Sequence, residues 1–154
     1  MGSPVVLVVE DNPAHAELVE RCLAEAAPEA RVVRAADGAQ ALAYLEGTGA
    51  YADRGAHPLP SLVLLDLCLP GIQGAEVLER VKADPKLRAI PMVVLTTSCD
   101  RGDLEGAYER HANGYVVKPP ELDLFLELVR DLAAFWLRWN RSHAAGPDVP
   151  LRVA

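Results

Sequence analysis

The sequence predicts an α/β domain built on one parallel sheet with helices on both faces, and three observations point there. Five short apolar runs alternate along the chain with segments of helical periodicity. The runs are continuously apolar, as strands covered on both faces are. Four of them end on polar groups: Glu10 and Asp11, Asp66, Thr96 and Thr97, and Lys118. Open parallel sheets bind ligands at the carboxyl ends of their strands.

In chain order, Pro4–Val9 (PVVLVV) reads as a buried strand. Asn12 or Asp11 can cap the helix that follows, with Pro13 in its first turn. Leu18, Val19, Cys22, Leu23 and Ala26 share one face of it, and Pro28 ends it. Arg31–Ala35 is a short strand nearer an edge, and Gly38–Glu46 a second helix. Gly47–Pro60, rich in Gly and Pro, reads as a surface insertion, long for a connection. Ser61–Asp66 is the most apolar strand, followed by a turn at Pro70, Gly71 and Gly74. Glu76–Ala83 turns Val77, Leu78 and Val81 inward, and Glu76, Glu79, Arg80 and Lys82 outward. Pro91–Thr96 is the fourth strand, Arg101–His111 a weakly amphipathic helix and Gly114–Val117 the fifth strand. A last helix runs from Glu121 to about Asn140.

Composition bounds the function. The 154 residues suit one domain, and 51% hydrophobic with 24% charged residues is globular. A net charge of -7 argues against a nucleic-acid surface. No run approaches the ~20 apolar residues of a membrane span. The N-terminus lacks a charged lead and a small-residue cleavage site, so a cytoplasmic location is expected. Cys22, Cys68 and Cys99 have no metal spacing and read as free thiols. His15, His57, His111 and His143 show none either and read as structural or solvated.

Adjacent acids at the end of a buried strand repel each other and are costly to desolvate. A hard divalent cation shared by Glu10, Asp11 and Asp66 would offset that repulsion. A carboxylate beside such a cation can attack a phosphoryl group and form an aspartyl phosphate. A lysine and a hydroxyl nearby would neutralise and hydrogen-bond the phosphoryl oxygens. Chemistry alone leaves Thr96 and Thr97 as alternatives.

These strand-end residues, in this order and spacing, resemble the receiver domain of bacterial response regulators, over roughly Pro4 to Ala133. The resemblance implies a flavodoxin-like (βα)5 fold with strand order 2-1-3-4-5. A receiver domain over 4-140 is expected, followed by the polar, Pro/Gly-bearing 141-154 as a C-terminal tail with no second domain. Asp66 would be the phosphoacceptor. Mg2+ would be held by Asp11, Asp66, Glu10 and the backbone carbonyl of Cys68, a position where many receivers carry Asn or another polar residue. Thr96 would bond the phosphoryl group, Lys118 would pair with it, and Tyr115 would be the aromatic switch. The Lys118–Pro119 bond would be cis. The stretches LVLLDLCLPG, VVLTTS, HANGYVVKP and FWLRWN are further similar to regulators that partner phytochrome-type histidine kinases, which also carry a longer loop before the third strand. The expected role is a single-domain regulator that accepts phosphate from such a kinase, switches its α4-β5-α5 face, and is not an enzyme beyond its own phosphorylation and dephosphorylation. A phosphate relay or sink is the alternative.

The last helix carries two apolar stripes. Leu122, Phe125, Val129, Leu132 and Trp136 suit the core. Leu124, Leu128, Phe135 and Trp139 lie about a quarter turn away, and covering the sheet does not require them. They suggest a homodimer interface. Three competitors share part of the pattern. A flavodoxin-type carrier needs a Ser/Thr/Gly loop after the first strand to cradle phosphate; Glu10-Asp11-Asn12-Pro13 repels it. A phosphatase of the haloacid-dehalogenase type needs a second acid at Cys68. A pseudo-receiver scaffold usually lacks one of the key residues, and all are present.

Overall fold

The computed structural model describes residues 2–142, so His143 and most of the expected tail lie outside the described residues. Five strands, β1 (Val5–Val9), β2 (Arg31–Ala35), β3 (Leu62–Leu65), β4 (Met92–Thr96) and β5 (Gly114–Val117), form one parallel sheet ordered β2-β1-β3-β4-β5. The helices between and after them are α1 (Pro13–Ala26), α2 (Gly38–Glu46), α3 (Gly74–Ala83), α4 (Arg101–Glu109) and α5 (Leu122–Ala133).

The register explains the apolar runs. Val6 pairs with Val32 on one side and Leu62 on the other, and Val8 with Arg34 and Leu64. Successive residues point to opposite faces. Leu7, Val9, Val63, Leu65 and Val94 pack with Leu42, Leu45, Val77, Leu78 and Ala107, so α2, α3 and α4 cover one face. Val6, Val8, Leu62, Leu64, Val93 and Leu95 pack with Val19, Leu23, Phe125 and Val129, so α1 and α5 cover the other. The expected fold class and strand order are those observed.

Local signals set the ends. Asn12, not Asp11, caps α1: its side chain accepts from the amides of Ala14 and His15, which leaves Asp11 free to face the sheet edge. Asp37 caps α2 and Asp100 caps α4. Gly47 ends α2 at φ 69°, a left-handed conformation that favours glycine.

Segment 47–60 lies at the surface, as expected, and is held there by its own contacts. It contains a 3-10 turn, Gly49–Tyr51, and the Arg54 guanidinium donates to the carbonyls of Tyr44 (2.6 Å), Leu45 (2.5 Å) and His57 (3.1 Å). The buried Tyr44 donates its hydroxyl to Pro58 O at 2.8 Å and meets the rings of Tyr51 and His57. Four expectations differ from the structure. Lys82 turns inward: its ammonium donates to the carbonyls of Arg88 and Ile90 and to Asn113 Oδ1 at 2.8–2.9 Å. The last helix is α-helical only to Ala133 and closes as a π-helical segment, Ala134–Trp139, with the Asn140 amide donating to Phe135 O. Leu122, placed in the core stripe, is the first residue of α5 and is 55% exposed. Finally, no described peptide bond is cis, so Lys118–Pro119 is trans, the isomer an X–Pro bond favours by about 0.5–1 kcal/mol without other constraint.

Candidate functional site: a buried charged pocket at the sheet edge

Apolar strands carry the polar groups that follow them into the sheet edge. Among the described residues the buried polar or charged side chains are Glu10, Asp66, Thr96 and Lys118. Each follows or ends a different strand of the central sheet. Burying them is costly unless they satisfy one another.

They do so around one ammonium. Lys118 Nζ donates to Glu10 Oε2 at 2.6 Å and to Asp66 Oδ2 at 3.0 Å, and lies 3.3 Å from His15 Nδ1. The Asn12 amide donates to the other Glu10 oxygen at 3.1 Å, and the Cys68 amide to Asp66 Oδ1 at 3.1 Å. Lys118 N donates to Thr96 O at 2.7 Å, which sets these two residues side by side on β4 and β5. The Thr96 hydroxyl accepts from the Ser98 amide at 3.2 Å, while Thr97 is exposed. Tyr115, half-buried, donates its hydroxyl to Ser98 O at 3.0 Å, so both candidate switch residues meet on Ser98.

The acids converge. One carboxylate oxygen from each of Glu10, Asp11 and Asp66 lies within 4.8 Å of the others, with Asp11 exposed. Two buried carboxylates face one ammonium, so the cluster carries excess negative charge. Glu10 shows the strain: burial foremost, then the neighbouring Asp66, push its carboxyl up to about 7 against the pull of Lys118. His15 moves the other way, lowered by burial and then by the Lys118 charge. A site of oxygen ligands that is short of positive charge suits a hard divalent cation.

Other contacts hold the pocket in place. The Arg34 guanidinium donates to the carbonyls of Glu10 (3.2 Å) and Asp11 (3.3 Å), fixing the backbone of the acid pair. A Cβ on Gly74 would stand 2.2 Å from Asp66 O and 2.7 Å from Leu67 Cα, so only glycine lets α3 approach the Asp66 backbone. Arg34 and His15 were not legible as site residues. Pairing of Val8 with Arg34 across β1 and β2 was the signal for the first; the second had only its place three residues after a cap. Of the expected site residues, Glu10, Asp11, Asp66, Cys68, Thr96 and Lys118 gather here, and Tyr115 joins through Ser98. Leu124 (50% exposed), Leu128, Phe135 (53%) and Trp139 (70%) lie on the last helix, away from the pocket.

Residues 6–130 match the model of the response regulator receiver domain. The chain belongs to that family. It is 43% identical over 138 residues to a Methanothrix harundinacea protein named "Probable methanogenesis regulatory protein FilR2", covering 90% of this chain and 86% of the relative. It is 39% identical over 133 residues to response regulator Rcp1 of Synechocystis sp., covering 86% and 88%. Among solved structures it resembles the phosphorylated cyanobacterial phytochrome response regulator RcpA, with TM-score 0.87 and 37% identity over 92% of this chain and 99% of that one. It also resembles the Mn(2+)-bound form of Rcp1, with TM-score 0.84 and 37% identity over 90% and 98%. This receiver is therefore related to phytochrome response regulators. No described helix is long and apolar enough to cross a membrane.

Proposed function

We propose that this receiver accepts a phosphoryl group on Asp66 from a histidine kinase of the phytochrome type. The observation that carries the reading is the convergence of the buried Glu10, Asp66, Thr96 and Lys118 on one sheet edge. Likeness to RcpA and Rcp1 supports the kind of kinase.

An Asp66 carboxylate oxygen attacks phosphorus. A P–O bond forms as the P–N bond of the donor phosphohistidine breaks, and the donor imidazole leaves with the bonding pair and a proton from solvent. Lys118, already 3.0 Å from Asp66 Oδ2, neutralises the incoming oxygens. Mg2+, held by Asp11 and Asp66 with help from Glu10 and the Cys68 carbonyl, would supply the charge that the acid cluster lacks. The Thr96 hydroxyl, an acceptor from the Ser98 amide, donates its own proton to a phosphoryl oxygen. Tyr115, whose hydroxyl hangs on Ser98 O, loses that bond and turns inward. The face of α4, β5 and α5 changes as a two-state element biased by local charge. Leu124, Leu128, Phe135 and Trp139 offer the apolar surface for a homodimer, and 4-140 forms the receiver. Catalysis is confined to the protein's own phosphorylation and dephosphorylation, in the cytoplasm.

Intact-mass spectrometry after incubation with acetyl phosphate and with a phytochrome-type kinase and ATP, with and without Mg2+, tests this. A Mg2+-dependent gain of one phosphoryl group that Asp66→Asn abolishes is expected. No gain from either donor in the folded wild type refutes it.

A further inference from the structure

We infer that His15 is a positioning residue that holds the Lys118 ammonium on its line to Asp66; this rests on Asp66 being the phosphoacceptor.

The ammonium has three N–H donors and no lone pair. The Lys118 side chain is 3% exposed, so water does not satisfy those donors. Three partners match them: Glu10 Oε2 at 2.6 Å, Asp66 Oδ2 at 3.0 Å and His15 Nδ1 at 3.3 Å. Because lysine can only donate, Nδ1 is the bare nitrogen and the ring proton sits on Nε2. The two carboxylates are the partners with other commitments. Asp66 changes covalently in the proposed reaction, and both acids belong to the cluster that suits a cation. His15 has neither commitment. It is the partner that keeps the same chemistry before and after transfer.

The ring is also held from outside the pocket. The His15 amide donates to the Asn12 cap at 3.3 Å, which fixes it on the first turn of α1. The ring lies 6.3 Å, centroid to centroid, from that of Phe125, a buried member of the α1–α5 core. A contact anchored in that core does not depend on the loops after β3 and β4. Lys118 is therefore aimed by α1 as well as by the acids it serves.

The test compares His15→Leu, which keeps apolar bulk against Phe125 without an acceptor, with His15→Asn, which places an amide oxygen near the Nδ1 position. The first readout is the rate of phosphoryl gain at saturating acetyl phosphate and Mg2+. Leu is expected to slow it about five-fold, equal to ~1 kcal/mol at 1.36 kcal/mol per factor of ten, and Asn to restore it to within about two-fold. The second is the lysine-ammonium 1H–15N spectrum of the metal-free protein, which has three lysines, Lys82, Lys86 and Lys118. The Lys118 signal, assigned with Lys118→Arg, is expected to shift or broaden in Leu and to persist in Asn. Should His15→Leu not fold, His15→Ala carries the same comparison. An unchanged rate and signal in the acceptor-free variant overturns the inference, as does an Asn variant no faster than Leu, which would make the role ring packing alone. A folded wild type that gains no phosphoryl group overturns the phosphoacceptor reading and this inference with it. A wild type that gains one while the variants behave alike overturns this inference only.

Discussion

Glu10→Gln should stabilise the metal-free protein at pH 8 and barely change it at pH 5. The Glu10 carboxyl is 4% exposed and pushed up to about 7, against 4.5 for an ordinary glutamate. Below about pH 4.5 the group is neutral in both folded and unfolded chains and contributes no difference. Between 4.5 and about 7 the unfolded chain has released the proton and the folded chain has not. Stability therefore falls as pH rises through that window, and stays level above it. At 1.36 kcal/mol per pH unit the loss approaches about 3 kcal/mol. Gln resembles the neutral acid: it can still accept from Lys118, and it leaves one buried carboxylate for one ammonium. The expected gain at pH 8 is about 2–3 kcal/mol, or roughly 5–10 °C in Tm for a chain of this size, and under about 1 kcal/mol at pH 5. Calorimetric unfolding in EDTA at both pH values reads it. Because a ligand carboxyl must shed its proton to take a cation, Mg2+ should raise the wild-type Tm more at pH 8 than at pH 6, and the Gln variant's less than the wild type's. A Gln variant no more stable at pH 8, or equally stabilised at pH 5, would refute the claim that the acid cluster is held at the expense of stability.

Other changes follow from the same geometry. Gly74→Ala forces a Cβ to 2.2 Å from Asp66 O, where backbone cannot yield cheaply, and should cost about 2–3 kcal/mol by urea unfolding; a wild-type midpoint would contradict the close approach. Arg54→Ala removes three bonds to carbonyl oxygens, and should cost about 1–2 kcal/mol and speed amide exchange within 47–60; unchanged exchange would mean that the segment is held by its aromatic contacts instead. For the proposed dimer, sedimentation at micromolar concentration should give two copies for the wild type and one for Leu124→Glu. A monomeric wild type would remove that proposal.

Strand positions were legible because burial on both faces leaves a continuous apolar run, and such runs read the same in any register. The acids were legible for a related reason: Glu10, Asp11 and Asp66 break those runs where no apolar core would tolerate them. Lys82 was misread because lysine on a helix surface normally faces water, and nothing local shows that the carbonyls of Arg88 and Ile90 end within its reach. The contacts that hold the 47–60 segment were not legible, because Gly and Pro mark irregular backbone without saying whether a side chain such as Arg54 will tie it down. In the last helix, periodicity separated two stripes correctly in kind, yet left Leu122 inside, because the helix axis relative to the sheet edge is not written in the spacing.

By itself the sequence determined the class of fold, the order of elements and the residue types at the strand ends, since periodicity, capping and composition act over a few neighbours. Only the tertiary structure decided which of those groups meet. Lys118 and Glu10 are 108 residues apart, and Lys118 and His15 103 apart. Their contact depends on five parallel strands in register and on α1 lying over the same face as α5. Distances between residues so far apart follow from how strands and helices pack, and packing is a property of the whole core.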